Sequence, residues 1–228
     1  MTKNKSEVYV VDGNIAIFLG SHAEILKQDI LHSSLLAHLV TSSSAVLDDR
    51  LSPYRKLLSS IFWTTKSNGN QILKKKPVSF LKLVTLTLQD ILSASQVIQI
   101  TDCFTSIKHL PDHSMASEAI INKMQCNNPN TDTSNTENTT NIHPLLTIIL
   151  ENKIIISLQV SLDASHPASI SFLDESLDEE DILSELNIST WTAYLQEEQY
   201  NSIRKTIIDK LGSKIKTNLI QIEVTRQT

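Results

Sequence analysis

The sequence predicts an α+β (mixed α/β) protein, and three observations lead to this prediction. The 228 residues are 40% hydrophobic and 20% charged, which is the composition of a globular chain able to bury a core. Apolar runs rich in β-branched residues occur beside segments with helical spacing. A polar stretch at residues 127–141 divides the chain near its middle. We expect a mostly helical first half with one β-hairpin, and a second half that is an antiparallel meander with helices packed on one face.

The first half begins with the hairpin. Residues 7–19 contain two apolar runs around Asp12-Gly13, a favoured two-residue turn. An amphipathic helix follows and is expected to run to about residue 42, because its apolar side chains recur at helical spacing.

Four more elements are predicted in the first half. Ser52-Pro53 is typical of a helix start, and the polar run 67–70 would end that helix. Residues 78–93 keep a helical period, so a helix is preferred to a strand despite their β-branched side chains. A short strand is then predicted at 97–101 and a short helix at 114–125.

The second half is predicted as a β-β-β-α-α-β unit. Residues 145–150 and 154–162 form two strands around a turn, and the second of them alternates between apolar and polar side chains. A third strand is expected at 169–173. Ser189 is expected to cap a helical region, and a last strand covers 220–224. The apolar stripe of the helical region consists of Tyr200, Ile203, Ile207, Leu211 and Ile215.

The polar stretch decides the domain organisation. Residues 127–142 have almost no apolar side chains to offset the entropy of ordering, so a disordered linker or a long loop is expected there. This gives a first part at 1–126 and a second part at 143–228. A lone hairpin has too few strands to be stable. The alternative is therefore one composite domain, in which the hairpin pairs with the sheet of the second part.

Charge and glycine content exclude several classes of function. The net charge of −5 disfavours nucleic acid as a partner, because an acidic chain repels it at long range. No two of the four glycines lie within five residues of each other, so neither a P-loop nor a dinucleotide-binding loop is expected. We therefore predict no cofactor, and no residue is assigned a catalytic role.

The expected location is the cytoplasm. Two cysteines are too few for a secreted disulfide scaffold, and the first residues contain no apolar core of a secretory signal. No run of apolar residues is long enough to predict a membrane span.

Four residues form the only set that resembles a metal site: Cys103, His109, His113 and Cys126. Zinc favours cysteine and histidine ligands. No pair has the short C-x-x-C spacing, however, and Pro111 separates the two histidines. An ordinary loop with a buried thiol is the simpler interpretation.

Two further features could contact partners. Lys74-Lys75-Lys76 could bind phosphate or anionic lipid, although three lysines after a loop are usually plain surface. Aromatic pairs at predicted helix ends could bind a protein, since tryptophan and tyrosine are frequent in interface hot spots. These pairs are Phe62 with Trp63 and Trp191 with Tyr194.

The leading functional hypothesis is a non-catalytic protein–protein interaction subunit. It would be an adaptor or chaperone-like component of a larger hetero-complex, such as bacterial secretion machinery. The first alternative is an enzyme or effector that uses His32, His38, His109 or His113. The second is a regulatory module that binds nucleic acid through the lysine cluster. The absence of known catalytic motifs favours the interaction subunit over both alternatives.

Overall fold

The computed structural model describes residues 6–41, 51–74, 76–128 and 139–224, which contain eight helices and nine strands. The strands are β1 (Ser6–Val11), β2 (Asn14–Leu19), β3 (Trp63–Leu73), β4 (Gln125–Asn128), β5 (Thr139–Ile142), β6 (Leu145–Ile149), β7 (Ile155–Ala164), β8 (Leu186–Leu195) and β9 (Leu219–Ile222). The helices are α1 (Glu24–Thr41), α2 (Leu51–Ser60), α3 (Phe80–Thr87), α4 (Ala94–Lys108), α5 (Met115–Met124), α6 (Glu197–Asn201), α7 (Arg204–Leu211) and α8 (Lys214–Asn218).

One mixed sheet contains strands from both halves of the chain. Its main path runs β3-β8-β7-β6-β2-β1-β9, and β5 pairs with β7 and with β4. Only the β2–β6 pairing is parallel among the described strands. The predicted hairpin is confirmed as β1 and β2, and it joins the sheet of the second half through β6 on one side and β9 on the other.

Helices cover both faces of the sheet, and each face has its own core. Helices α3, α4 and α5 pack over Val8, Ile17 and Leu158. Helices α1, α2, α6 and α7 pack over Phe18 and Trp191. The α+β class predicted from the sequence is confirmed.

The hairpin turn holds α5 in place. Asp12 and Gly13 both have positive φ, 49° and 86°, as a two-residue hairpin turn requires. A Cβ on Gly13 would lie 2.3 Å from the carbonyl oxygen of Ala119 in α5. The Asp12 carboxylate also accepts a hydrogen bond at 2.7 Å from Lys123 Nζ. Glycine is therefore required here by the backbone angle and by the close approach of α5.

Strand β7 is buried on both faces. Ile156, Leu158 and Val160 face the core under α3–α5, as the alternation predicted. Ser157 and Gln159 face the other way, yet they are buried as well because β7 lies between β6 and β8 under helices on both sides. Hydrogen bonding compensates part of this polar burial, since Ser157 Oγ lies 3.3 Å from Thr147 Oγ1.

Two predictions for the first half are wrong. The polar run 67–70 does not end α2, which already stops at Ser60; it lies within β3, where its side chains are exposed. Among the described strands, β3 lies at the edge of the sheet and pairs on one side only, so polar side chains are tolerated there. The strand predicted at 97–101 is part of α4, which a capping box between Ser93 and Gln96 starts.

Two predictions for the second half are also wrong. Residues Ile170–Leu173 form a 3-10 turn, and the third strand of the meander is β8. The sequence predicted a helix from Ser189, but alternate residues Trp191, Ala193 and Leu195 face the core under α1 and α2, which is the period of a strand. The helical stripe that begins at Tyr200 is correct, although it is divided among α6, α7 and α8.

The ends of the predicted linker or loop are paired. Residues 125–128 of β4 pair with residues 139–142 of β5 in antiparallel register. Residues 129–138, the rest of that prediction, lie outside the described part of the chain.

Candidate functional site

The candidate site is the segment from residue 74 to residue 98, which we call the corner segment. It contains α3, the turn after it and the start of α4. Ser79 caps α3 by accepting a hydrogen bond from the Lys82 N–H at 3.3 Å. Phe80, Leu83 and Val84 then bury one face of this short helix in the core. The opposite face of α3 is therefore directed to solvent.

The turn between α3 and α4 places an isoleucine outside the core. The N–H groups of Ile91 and Leu92 both lie 2.9 Å from the Leu88 carbonyl oxygen. Leu88 and Leu92 are buried and fix both ends of this turn. Ile91 lies between them in the sequence, and its side chain is 51% exposed.

Two more large apolar side chains of the corner segment face solvent. Leu86 lies on the outer face of α3 and is 40% exposed. Ile98 lies in the second turn of α4, on the side opposite Ile100, and is 62% exposed. Isolated exposed apolar residues are ordinary, but three such residues on one short helical corner suggest a surface that binds something apolar.

The same segment is basic in an otherwise acidic chain. It contains four lysines and one aspartate, whereas the whole chain has a net charge of −5. Lys74, Lys76 and Lys82 are exposed, and Lys75 lies outside the described residues. The lysine cluster noted in the sequence therefore leads directly into the exposed apolar corner.

The aromatic pairs proposed as partner-binding residues lie in different environments. Trp63 and Trp191 are buried and stack on each other, with ring centroids 5.7 Å apart. Their indole N–H groups donate hydrogen bonds to Ser33 Oγ and Thr65 Oγ1. Phe62 is half-buried with a φ of 70°, and Tyr194 is 37% exposed on β8. Their role in partner binding stays a prediction.

The four histidines of the enzyme alternative do not meet. His32 and His38 lie on α1, which covers one face of the sheet. His109 ends α4 and His113 precedes α5, on the opposite face. Burial lowers the pKa of His38 well below its ordinary value, and it lowers the pKa of His32 in the same direction.

The four residues that resembled a metal site in the sequence also lie in different environments. Cys103 is fully buried in the core under α3–α5, where burial raises the pKa of its thiol to about 12. Cys126 lies on β4, while His109 and His113 are exposed. Within the described residues, no three His, Cys, Asp or Glu side chains are arranged to hold a metal ion.

Sequence reasoning missed the exposed apolar residues of the corner segment. The helical period over 78–93 includes Ile91 together with Leu88 and Leu92, and the period does not show which of these side chains is exposed. The available signal was that Leu86 falls outside that period, four residues after Lys82. Among the described helices, none combines the length and the apolarity that a bilayer span would require.

Comparison with known proteins gives similarity to solved structures only. No protein-family model and no curated protein sequence matches the chain. A delta-endotoxin structure has a TM-score of 0.44 at 12% identity, covering 84% of this chain and 88% of that one. The activated Cyt2Ba monomer from Bacillus thuringiensis subsp. israelensis has a TM-score of 0.40 at 15% identity, covering 81% and 97%. The Evf virulence factor has a TM-score of 0.40 at 11% identity, covering 89% and 83%.

This comparison corrects the leading hypothesis from the sequence. The three similar structures are described as toxins or as a virulence factor, and none as an adaptor, a chaperone-like protein or a part of secretion machinery. The interaction-subunit hypothesis is therefore wrong. The function proposed below is argued from the surface of the molecule.

Proposed function

We propose that this protein acts at the surface of anionic membranes and that the corner segment is its lipid-contacting surface. The observation that carries the proposal is the combination in that segment of Leu86, Ile91 and Ile98, all exposed, with exposed lysines. Apolar side chains that enter the interface and cations that attract anionic headgroups are the two components of interfacial binding.

The expected strength of this contact is moderate. Moving a half-exposed leucine or isoleucine into lipid yields about 1 kcal/mol, since full burial yields about 1.5–3 kcal/mol. A lysine close to an anionic surface adds about 1 kcal/mol. Three apolar residues and three lysines thus supply about 6 kcal/mol, which corresponds to a partition constant of roughly 10⁴ M⁻¹. Binding of this strength is reversible and should depend strongly on salt.

The proposed action requires no catalysis, and we propose that the protein is not an enzyme. This is supported by the positions of the histidines, which lie on opposite faces of the sheet. A cytoplasmic location, predicted from the sequence, is compatible with the proposal because the cytoplasmic leaflet carries anionic lipid. A protein partner stays a prediction of the sequence.

Vesicle flotation tests the proposal. The purified protein is mixed with vesicles of phosphatidylcholine and phosphatidylserine, or of phosphatidylcholine alone, at low and high salt. We expect it to float with the anionic vesicles at low salt and to be released at high salt. Release of an encapsulated dye in the same samples would show whether binding also permeabilises the bilayer. Failure to float with anionic vesicles at low salt would contradict the proposal.

A further inference from the structure

A strongly acidic loop lies beside the basic part of the corner segment. Residues 174–181, with the sequence DESLDEED, contain six acidic residues and no lysine or arginine, and we call them the acidic loop. Leu177, in its middle, packs against the core that also contains Phe80 of α3. Phe172 and Leu173, directly before the loop, are buried in the same core. These apolar side chains hold the acidic loop next to α3.

A backbone contact joins the acidic loop to the residues that precede α3. The Leu177 N–H donates a hydrogen bond to the Val78 carbonyl oxygen at 3.2 Å, and the two residues form an antiparallel bridge. Opposed residues of an antiparallel pair have Cα atoms about 4.5–5.5 Å apart, and each further residue adds at most about 3.8 Å. The Cα atoms of Lys76 and Asp178 are therefore separated by at most about 17 Å. The lysines before α3 and the acidic loop thus lie at the same end of this helix.

Only part of the acidic loop is neutralised by other described residues. Lys108 Nζ lies 2.6 Å from a carboxylate oxygen of Glu175 and 3.4 Å from one of Asp174. His166 Nδ1 lies 3.4 Å from a carboxylate oxygen of Asp181. The other three acidic residues are exposed and form no ion pair within the described part of the chain: Asp178, Glu179 and Glu180.

We propose that the acidic loop is autoinhibitory and weakens the membrane contact of the corner segment, an inference that rests on the proposed function. The exposed lysines of the corner segment attract anionic headgroups, and the three unpaired carboxylates beside them are repelled by the same surface. Because the two sets of opposite charge are similar in number, the net attraction is smaller than the lysines alone would supply. The binding strength derived above for the corner segment is then reached only when these carboxylates are neutralised.

The distance from the acidic loop to the lipid determines how salt affects this repulsion. The bridge to Val78 places the loop at the N-terminal end of α3, whereas Ile91 follows its C-terminal end. A helix of eight residues is about 12 Å long, so the carboxylates remain in solvent at roughly this distance when Ile91 enters the interface. The screening length is about 30 Å in 0.01 M salt and about 10 Å in 0.1 M salt. The repulsion should therefore be strong at low salt and much weaker at physiological salt.

Vesicle binding of a variant with a neutralised loop tests the proposal. The triple variant Asp178→Asn/Glu179→Gln/Glu180→Gln removes the three unpaired carboxylates. Their side chains are exposed, and Asp178 forms no side-chain capping bond, so the fold should be retained. At low salt, the triple variant should partition roughly tenfold more strongly than the wild type into vesicles of phosphatidylcholine and phosphatidylserine. This estimate assumes that each carboxylate offsets about half of what one lysine near the surface contributes.

A second triple variant with the same net charge is the matched control. Glu151→Gln/Glu198→Gln/Glu223→Gln neutralises three exposed glutamates that form no ion pair within the described part of the chain. They lie away from the acidic loop, in the turn after β6, on α6 and directly after β9. The control should bind anionic vesicles within about twofold of the wild type, because a distant charge is screened. On phosphatidylcholine vesicles, neither variant should gain affinity.

Retention on a heparin column separates this proposal from the proposed function, because it depends on cationic patches and needs no apolar contact. The variant with the neutralised loop should elute at higher salt than the control variant. If this shift occurs but no form of the protein floats with anionic vesicles, the corner segment is not a lipid contact, although the acidic loop still offsets its lysines. A neutralised loop that increases binding to vesicles and to heparin no more than the control variant does would overturn the autoinhibition.

Discussion

The guanidinium of Arg204 on α7 donates two hydrogen bonds to the carboxylate of Asp29 on α1, at 2.7 and 2.8 Å. The side chain of Asp29 is only 2% exposed. The pair joins a helix of the first half of the chain to a helix of the second half over the same face of the sheet. Arg204→Met should therefore lower the free energy of unfolding by about 3 kcal/mol, because it leaves a buried carboxylate without its cation.

Urea denaturation followed by circular dichroism measures this change. Lys205→Met is the control, since Lys205 pairs with Asp209 at the surface and should change stability by less than about 0.5 kcal/mol. Equal losses in the two variants would show that the Asp29–Arg204 pair does not hold α1 and α7 together.

The hairpin turn gives a second stability prediction. Gly13→Ala should lower the free energy of unfolding by more than about 2 kcal/mol, because the new side chain combines a positive φ with a clash against the α5 backbone. Gly212→Ala is the matched control, with a φ of 51° but no atom closer than 3.9 Å to its Cβ. It should lower the free energy of unfolding by about 1–3 kcal/mol from backbone strain alone, because its ψ of −125° lies outside the left-handed helical region. The difference between the two thermal midpoints isolates the clash, and equal midpoints would contradict the close contact with α5.

His38 should make the fold sensitive to acid. It is buried and stacks on Tyr54, with ring centroids 4.4 Å apart, and burial keeps its pKa well below the ordinary value. The unfolded chain binds a proton at this histidine below pH about 6.5, whereas the folded chain does not. Stability should therefore fall as the pH is lowered below about 6.5, by up to about 1.4 kcal/mol per pH unit.

The measurement is the free energy of unfolding at a series of pH values. His38→Gln should reduce its slope between pH about 6.5 and 5, whatever its effect on stability at pH 8. Gln28→Ala, which removes no titratable group from α1, serves as the control and should keep the wild-type slope. If His38→Gln also keeps that slope, the buried imidazole is not the source of the acid sensitivity.

The spacing of apolar residues and the turn residues in the sequence were sufficient to predict the hairpin, α5, β6, β7 and β9. These sequence patterns failed where the tertiary environment decides between helix and strand. The polar run in β3 is stable as a strand because it lies at the sheet edge, and Val97–Thr101 is helical because the cap at Ser93 starts α4 upstream.

The candidate site was predictable in part. The lysines were recognised as possible contacts with anionic lipid. Ile91 shares the helical period of Leu88 and Leu92, and spacing alone does not show that those two are buried while Ile91 is exposed. In the same way, spacing cannot show that Trp63 and Trp191 stack inside the molecule.

The most direct test of the proposed membrane contact is flotation of Ile91→Ser/Ile98→Ser with anionic vesicles at low salt. The matched control is Ile25→Ser, which removes an isoleucine that is 50% exposed on α1, the opposite side of the sheet. We expect the double variant, which loses about 2 kcal/mol of apolar contact, to bind roughly thirtyfold more weakly than the wild type, and the control to bind as the wild type does. Undiminished flotation of a correctly folded double variant would contradict the assignment of the corner segment as the lipid-binding surface.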